Sequence, residues 1–229
     1  MAMIGLWIKG DQAARDTAMT FHHKLLSAIQ DQRPQWYMPE TLSPDEHTAW
    51  PVPTYQSILL QLIFALLVAQ QESTIDLNFR FQLPDAKYEL LASLVETCRR
   101  VGLFNYPNML SRFHPSAPIA LIWVSVEEIK RFGLALYKLC RLCTRTGLDT
   151  GGSSGGSSGG PRSELLTLTD LDFCMPDSDE VWNAPPDTGT EWFRSSALQQ
   201  SCRDNRDPDG WISQTAEKLH DGRVGLDWI

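Results

Sequence analysis

The stretch WVSVEEIKRFGLALYKLCRLC, residues 123–143, decides how this chain folds. Val126, Ile129, Phe132, Leu136, Leu139, Cys140 and Cys143 recur at intervals of three and four, which places them on one face of a helix. Leu134, Ala135 and Tyr137 widen that face, so the helix is predicted to be buried on more than one side. Pro118 suits its first turn and Ser116 a cap just before it, giving a helix over 118–145. Glu127 and Glu128 are followed three positions on by Lys130 and Arg131, a spacing that allows side-chain pairing. Residues 126–145 hold two acidic and five basic side chains, so the helix is net positive.

The second informative stretch is LLTLTDLDFCMPDSDEVWNAP, residues 165–185, and GGSSGGSSGG, residues 151–160, lies between the two. A repeat of that composition is a flexible coil. It reads as an artificial linker standing in for a loop, so its flanks are consecutive parts of one domain: 1–150, the linker 151–160, and 161–229. Residues 161–229 carry 14 acidic and 6 basic side chains, whereas 1–160 carry 14 of each, so the net charge of −8 sits in the last third. An acidic return of the chain along the basic helix follows as an expectation. Segment 170–180 should run past Lys130 or Arg131, with Trp182 largely buried; a solvated acidic surface is the alternative. Leucine alternates with Thr and Asp in 165–175, but no partner strand is evident, so extended chain over helices is expected.

Further helices are predicted at 11–30, 54–71 and 85–101. Asp11 caps the first, with Ala14, Ala18, Phe21, His22, Leu25 and Ile29 as its apolar stripe. In the second, Gln61 is the single polar residue from Ile58 to Ala69, too short a run to span a membrane, so it reads as a buried central helix. In the third, Tyr88, Leu91, Leu94, Val95 and Cys98 form the core face, Gly102 stops the helix, and Leu103 and Phe104 turn inward. Met1-Ala2 reads as a cloning remnant, 31–53 and 105–118 as Pro-containing loops, and Asn78–Leu83 as a strand pattern discounted for want of a partner. A helix start at Asp177–Glu180, short helices at 190–202 and 208–220, and a docked apolar tail complete an all-α, single multi-helix domain.

The chemistry-bearing patterns are sparse. Five scattered cysteines argue for a reducing compartment rather than a disulfide framework. Cys140 and Cys143 have a metal-ligand spacing but lack a second pair, so they read as buried thiols. His22-His23 reads as ordinary helix packing. No nucleophile elbow, phosphate-binding loop or zinc-protease motif is present. Asp170 and Asp172 could be imagined as an acid–base pair, but acidic alternation on a solvated segment explains them. No catalytic, cofactor-binding or metal-binding residue is assigned, and an enzyme is not expected. A sequence pI of about 5.1 opposes direct nucleic-acid contact.

Trp123, the run Glu127-Glu128-Ile129-Lys130-Arg131, the segment Leu-Thr-Leu-Thr-Asp-Leu-Asp, a Pro-Asp turn, the box around Trp182, and Glu191-Trp192 together resemble the fungal-specific transcription factor domain. This is the middle homology regulatory region of fungal zinc-cluster and zinc-finger transcription factors. Val126 stands where a second Trp is often found. The resemblance takes Trp123, Glu128, Lys130, Arg131, Trp182 and Trp192 as the family motif. It implies a nuclear regulatory domain answering to a small-molecule effector or a co-regulator protein, with homodimerisation open. Zinc would belong to a DNA-binding region of the parent protein that lies outside this chain. Two other readings stay open: a helical protein-interaction scaffold without a ligand, and a helical enzyme handling lipids or terpenoids.

Overall fold

Apolar residues at helical spacing do most of the organising. The computed structural model describes residues 2–36, 50–72, 81–145, 164–182 and 206–221. It is mostly helical: α1 (Ala2–Lys9), α2 (Gln12–Asp31), α3 (Val52–Glu72), α4 (Asp85–Arg100), α5 (Tyr106–Ser111), α6 (Ile119–Leu142), α7 (Asp179–Trp182) and α8 (Ile212–Asp221). Two short strands, β1 (Phe81–Leu83) and β2 (Cys143–Arg145), pair in parallel with Phe81 opposite Cys143. The chain divides into two compact units.

The first unit comprises Met1–Glu40, Trp50–Thr97 and Leu139–Ser163. Asp11 caps α2 as expected, its carboxylate accepting the Ala14 N–H at 2.8 Å. The buried line of α2 is narrower than the predicted stripe. Ala14, Ala18 and His22 are inside, Ile29 is half-buried, and Phe21 and Leu25 are exposed. Steps of four keep the inner three on one line of the helix, and the small Ala18 packs in one cluster with Met3, Phe64 and Val68. α3 is the central helix. Tyr55, Ile58, Leu62, Phe64 and Ala65 are sealed, while Leu60 and Leu67 form one exposed line. Its one polar core residue, Gln61, places Oε1 2.9 Å from His22 Nδ1, so each supplies the other's buried hydrogen bond.

This unit holds one helix that the sequence does not predict, and two expectations in it are corrected. No helix is predicted before residue 11, but α1 forms there, buries Met3 and sets Trp7 edge-on to Phe64 at 5.3 Å, with the Arg15 guanidinium over Trp7. The strand pattern before Leu83 does find a partner, because α6 ends at Leu142 instead of continuing to residue 145. A run of three residues cannot announce a partner about sixty positions away, and the partner's apolar Cys143 also fits the helical period.

The second unit comprises Thr41–Ala49, Cys98–Lys138 and Glu164–Ile229. Gly102 ends α4 at φ +70°. The Leu103 N–H donates to Cys98 O and the Gly102 N–H to Arg99 O, which is a Schellman closure. Leu103 and Phe104 turn inward and are buried. The expected loop after them contains α5, capped by Asn105. Ser116 does not cap α6; its hydroxyl engages His114 Nδ1 at 2.7 Å.

Residues 164–175 are a 3-10 turn (Leu168–Asp170) followed by extended chain. Leu166, Leu168, Leu171 and Phe173 are buried, and Asp172 bridges to Asn105. Gly133 lets Phe173 and Phe104 lie against the α6 backbone: a Cβ there would stand 3.2 Å from Phe173. The predicted 208–220 helix is a 3-10 turn followed by α8. The predictions for 190–202, the linker and the apolar tail lie outside the described residues.

A candidate functional site on the return of the chain to helix six

Trp123, Glu127, Lys130, Arg131 and Leu134 follow one another at helical intervals along one stripe of α6. Residues 175–182 return over that stripe. Lys130 and Glu127 form an ion pair of 2.7 Å, with side-chain exposures of 0% and 1%. The other Glu127 oxygen accepts the Asp177 N–H at 2.8 Å, and Lys130 Nζ also reaches Met175 O at 3.4 Å. The buried pair therefore sets the register of 175–177 on the helix. Isolated charges are too costly to bury, but here each has a charged partner and a backbone partner.

Arg131 continues the attachment nearer to solvent. Nη2 donates to Asp177 O at 2.7 Å and Nη1 to Asp179 Oδ1 at 2.8 Å. The guanidinium lies over the Trp182 ring, 5.1 Å from its centroid. Trp182 also meets Trp123, with ring centroids 5.5 Å apart, and the Trp123 indole N–H donates to Asp177 Oδ2 at 2.7 Å. The acidic return thus does run past Lys130 and Arg131. Trp182, however, is half-buried and not enclosed. It follows a segment whose apolar anchors end at Phe173, and it seals its place with a cation and a neighbouring indole.

Of the residues singled out in the sequence, Trp123, Lys130, Arg131 and Trp182 come together. Glu128 does not: it is exposed. Adjacent residues on a helix point about 100° apart, and Glu127 is the acid that shares the stripe with Trp123 and Lys130. That spacing, four from Trp123 and three from Lys130, was the signal available in the sequence. The sequence already allows Glu127 to pair with Lys130; Asp177, taken there only as a helix start, is the participant it does not place here. Trp192 lies outside the described residues.

Asp170 and Asp172 are tied into structure. Arg99 donates to Asp170 at 2.7 Å, and the Thr167 N–H and hydroxyl both donate to the same oxygen. Burial alone would raise the Asp170 pKa; the Arg99 and Thr167 bonds outweigh it and hold the carboxyl below its usual range. Asp172 accepts from the Ser213 hydroxyl at 2.7 Å, and its backbone bonds to Phe104 and Tyr106. Neither is the solvated side chain expected, because the 3-10 turn and the bridge to Asn105 draw both partly inward.

A cleft of about 600 Å³ opens beside the clamp, lined by Arg131, Leu134, Met175, Pro176, Asp177, Ser178 and Asp179. Among the described residues no group of three or more His, Cys, Asp or Glu side chains is placed to hold a metal ion. Burial pushes the Cys143 thiol up to about 12, so it stays protonated. Nor is any helix of the described residues long and apolar enough to cross a membrane. No protein-family model, no curated protein and no solved structure matches the chain.

Proposed function

We propose that this chain is the regulatory domain of a fungal transcription factor, working in the nucleus and setting the output of an attached activator in response to an effector molecule or a co-regulator. The observation that supports this reading is convergence. Trp123, Lys130, Arg131 and Trp182 carry the resemblance, and they meet at one clamp although the Gly/Ser repeat separates Trp182 from the other three. A motif that holds a regulatory domain together requires such contacts and requires no catalytic group. In this reading DNA contact and its zinc belong to another region of the parent protein. The net charge of −8 favours that division, since phosphate repels an acidic surface. The Gly/Ser repeat stands in for a loop the domain does not need, and homodimerisation remains compatible with it.

The test is a transcriptional reporter. The chain is placed between a heterologous DNA-binding domain and an activation domain and expressed in a fungal cell. Reporter output should differ from that of the same fusion without the chain, and Lys130→Met, which breaks the clamp, should abolish the difference. Identical output from all three fusions would overturn the regulatory reading.

A further inference from the structure

We propose that the cleft between α6 and residues 175–179 binds a small molecule with an apolar body and a single protonated amine, its ammonium group seated at the Asp177 carboxylate. The proposal rests on the effector-responsive reading above and names the class of effector. The volume of about 600 Å³ lies within the usual range for small-molecule sites. Leu134, Met175 and Pro176 supply the apolar wall. Met175 is 37% exposed, and its unbranched thioether can adjust to an apolar guest.

The sign of the guest's charge follows from how the polar wall is already paired. Among the described residues the cleft holds one guanidinium and two carboxylates. Arg131 Nη1 and Nη2 are engaged by Asp179 and by Asp177 O, its plane lies over Trp182, and its Nε, which has no partner among the described residues, is shielded from solvent and so out of a guest's reach. An anionic guest would find that cation occupied and would meet both carboxylates. Asp177 is different. Its carboxylate is half-buried, and among the described residues it accepts a single hydrogen bond, from the Trp123 indole, and has no ion pair. An ionised carboxylate offers about four acceptor sites. Its backbone N–H and C=O are held by Glu127 and Arg131, so the group is fixed in place before any guest arrives. A fixed, partly desolvated carboxylate beside an apolar wall is complementary to an amphiphilic ammonium, and burial lessens the screening of that attraction.

The Trp123 indole donates to the same carboxylate, so its N–H resonance reports occupancy directly. Octylamine, octanoate and 1-octanol are titrated at neutral pH into the 15N-labelled chain. Octylammonium should shift the Trp123 indole signal saturably, 1-octanol should bind at least about tenfold more weakly, and octanoate should have no effect. Asp177→Asn keeps an oxygen for the indole but removes the charge. It should weaken octylammonium by about tenfold and leave 1-octanol unchanged. If that variant folds poorly, raising salt from about 20 mM to about 500 mM on the parent chain should weaken the amine and spare the alcohol. Equal binding of amine and carboxylate, no binding of any probe, or an amine affinity indifferent to both Asp177→Asn and salt would overturn the proposal. Failure here with a responsive reporter would remove the cleft and keep the regulatory reading; amine binding with an inert reporter would do the reverse.

Discussion

The Lys130 ammonium and the Glu127 carboxylate lie 2.7 Å apart, one helical turn from each other, and neither side chain reaches solvent. A buried pair of this kind need not stabilise more than two apolar residues would, but removing one member strands the other. Lys130→Met should therefore cost about 3–5 kcal/mol in denaturant melts. Adding Glu127→Gln, which keeps an acceptor for the Asp177 N–H, should recover part of that loss. A double variant as unstable as the single one would mean that Lys130 acts through its packing alone.

Arg131 is held by its planar shape as much as by its charge. It makes two hydrogen bonds in different directions and lies over Trp182. Arg131→Lys keeps the charge and should still lose about 1 kcal/mol or more, because an ammonium cannot serve the two acceptors and the ring together. Trp182→Ala should cost about half of the ~3–5 kcal/mol typical of a fully buried ring, given its partial exposure. A double-mutant cycle between the two should return a coupling of about 0.5–1 kcal/mol. Strict additivity would show that the stacked geometry contributes nothing.

Gly102 sits at φ +70°, and a Cβ added there would run into the Asn108 side chain. Gly102→Ala should destabilise the chain by about 1–2 kcal/mol from the left-handed backbone alone. Asn108→Ala in the same chain should relieve the clash and leave the backbone term. If the double substitution restored full stability, the clash and not the backbone would be the cause.

His22 gives the first unit a pH dependence. Burial is the main cause of its lowered pKa, the Gln61 hydrogen bond opposes it, and Lys87 and His23 add to the lowering. The unfolded chain therefore takes up the proton first as pH falls, near the usual His value of about 6.5. Stability from this group is fully present above about pH 6.5 and is lost as pH falls through the folded pKa, by at most about 1.4 kcal/mol per pH unit. Urea midpoints at about pH 7.5 and about pH 5.5 should differ in that direction, and His22→Gln should flatten the difference. An equally steep dependence in the variant would assign it to other groups, Asp11 and Asp170 being candidates at more acidic pH, where their lowered pKa values act with the same sign.

Periodicity locates α2, α4 and most of α6, because each buries a stripe long enough to repeat, and the nearly continuous apolar run from Ile58 to Ala69 locates α3. Asp11 and Gly102 mark a helix start and a helix stop by local chemistry that needs no distant partner. The acidic return past Lys130 and Arg131 is likewise readable, since it follows from opposite charges on two segments that must meet. What lies beyond the reach of such patterns depends on distant chain. β1 and β2 are recognisable only as a pair, and each alone is three residues long. Glu127 and Glu128 look alike in sequence; the backbone of Asp177, arriving from beyond the Gly/Ser repeat, is what makes the first a buried anchor and leaves the second in water. Phe21 and Leu25 belong to an apolar stripe yet stay outside, because the neighbour of α2 covers only the line of Ala14, Ala18 and His22. A side chain's spacing sets the face it occupies, and the burial of that face depends on which other segment comes to cover it.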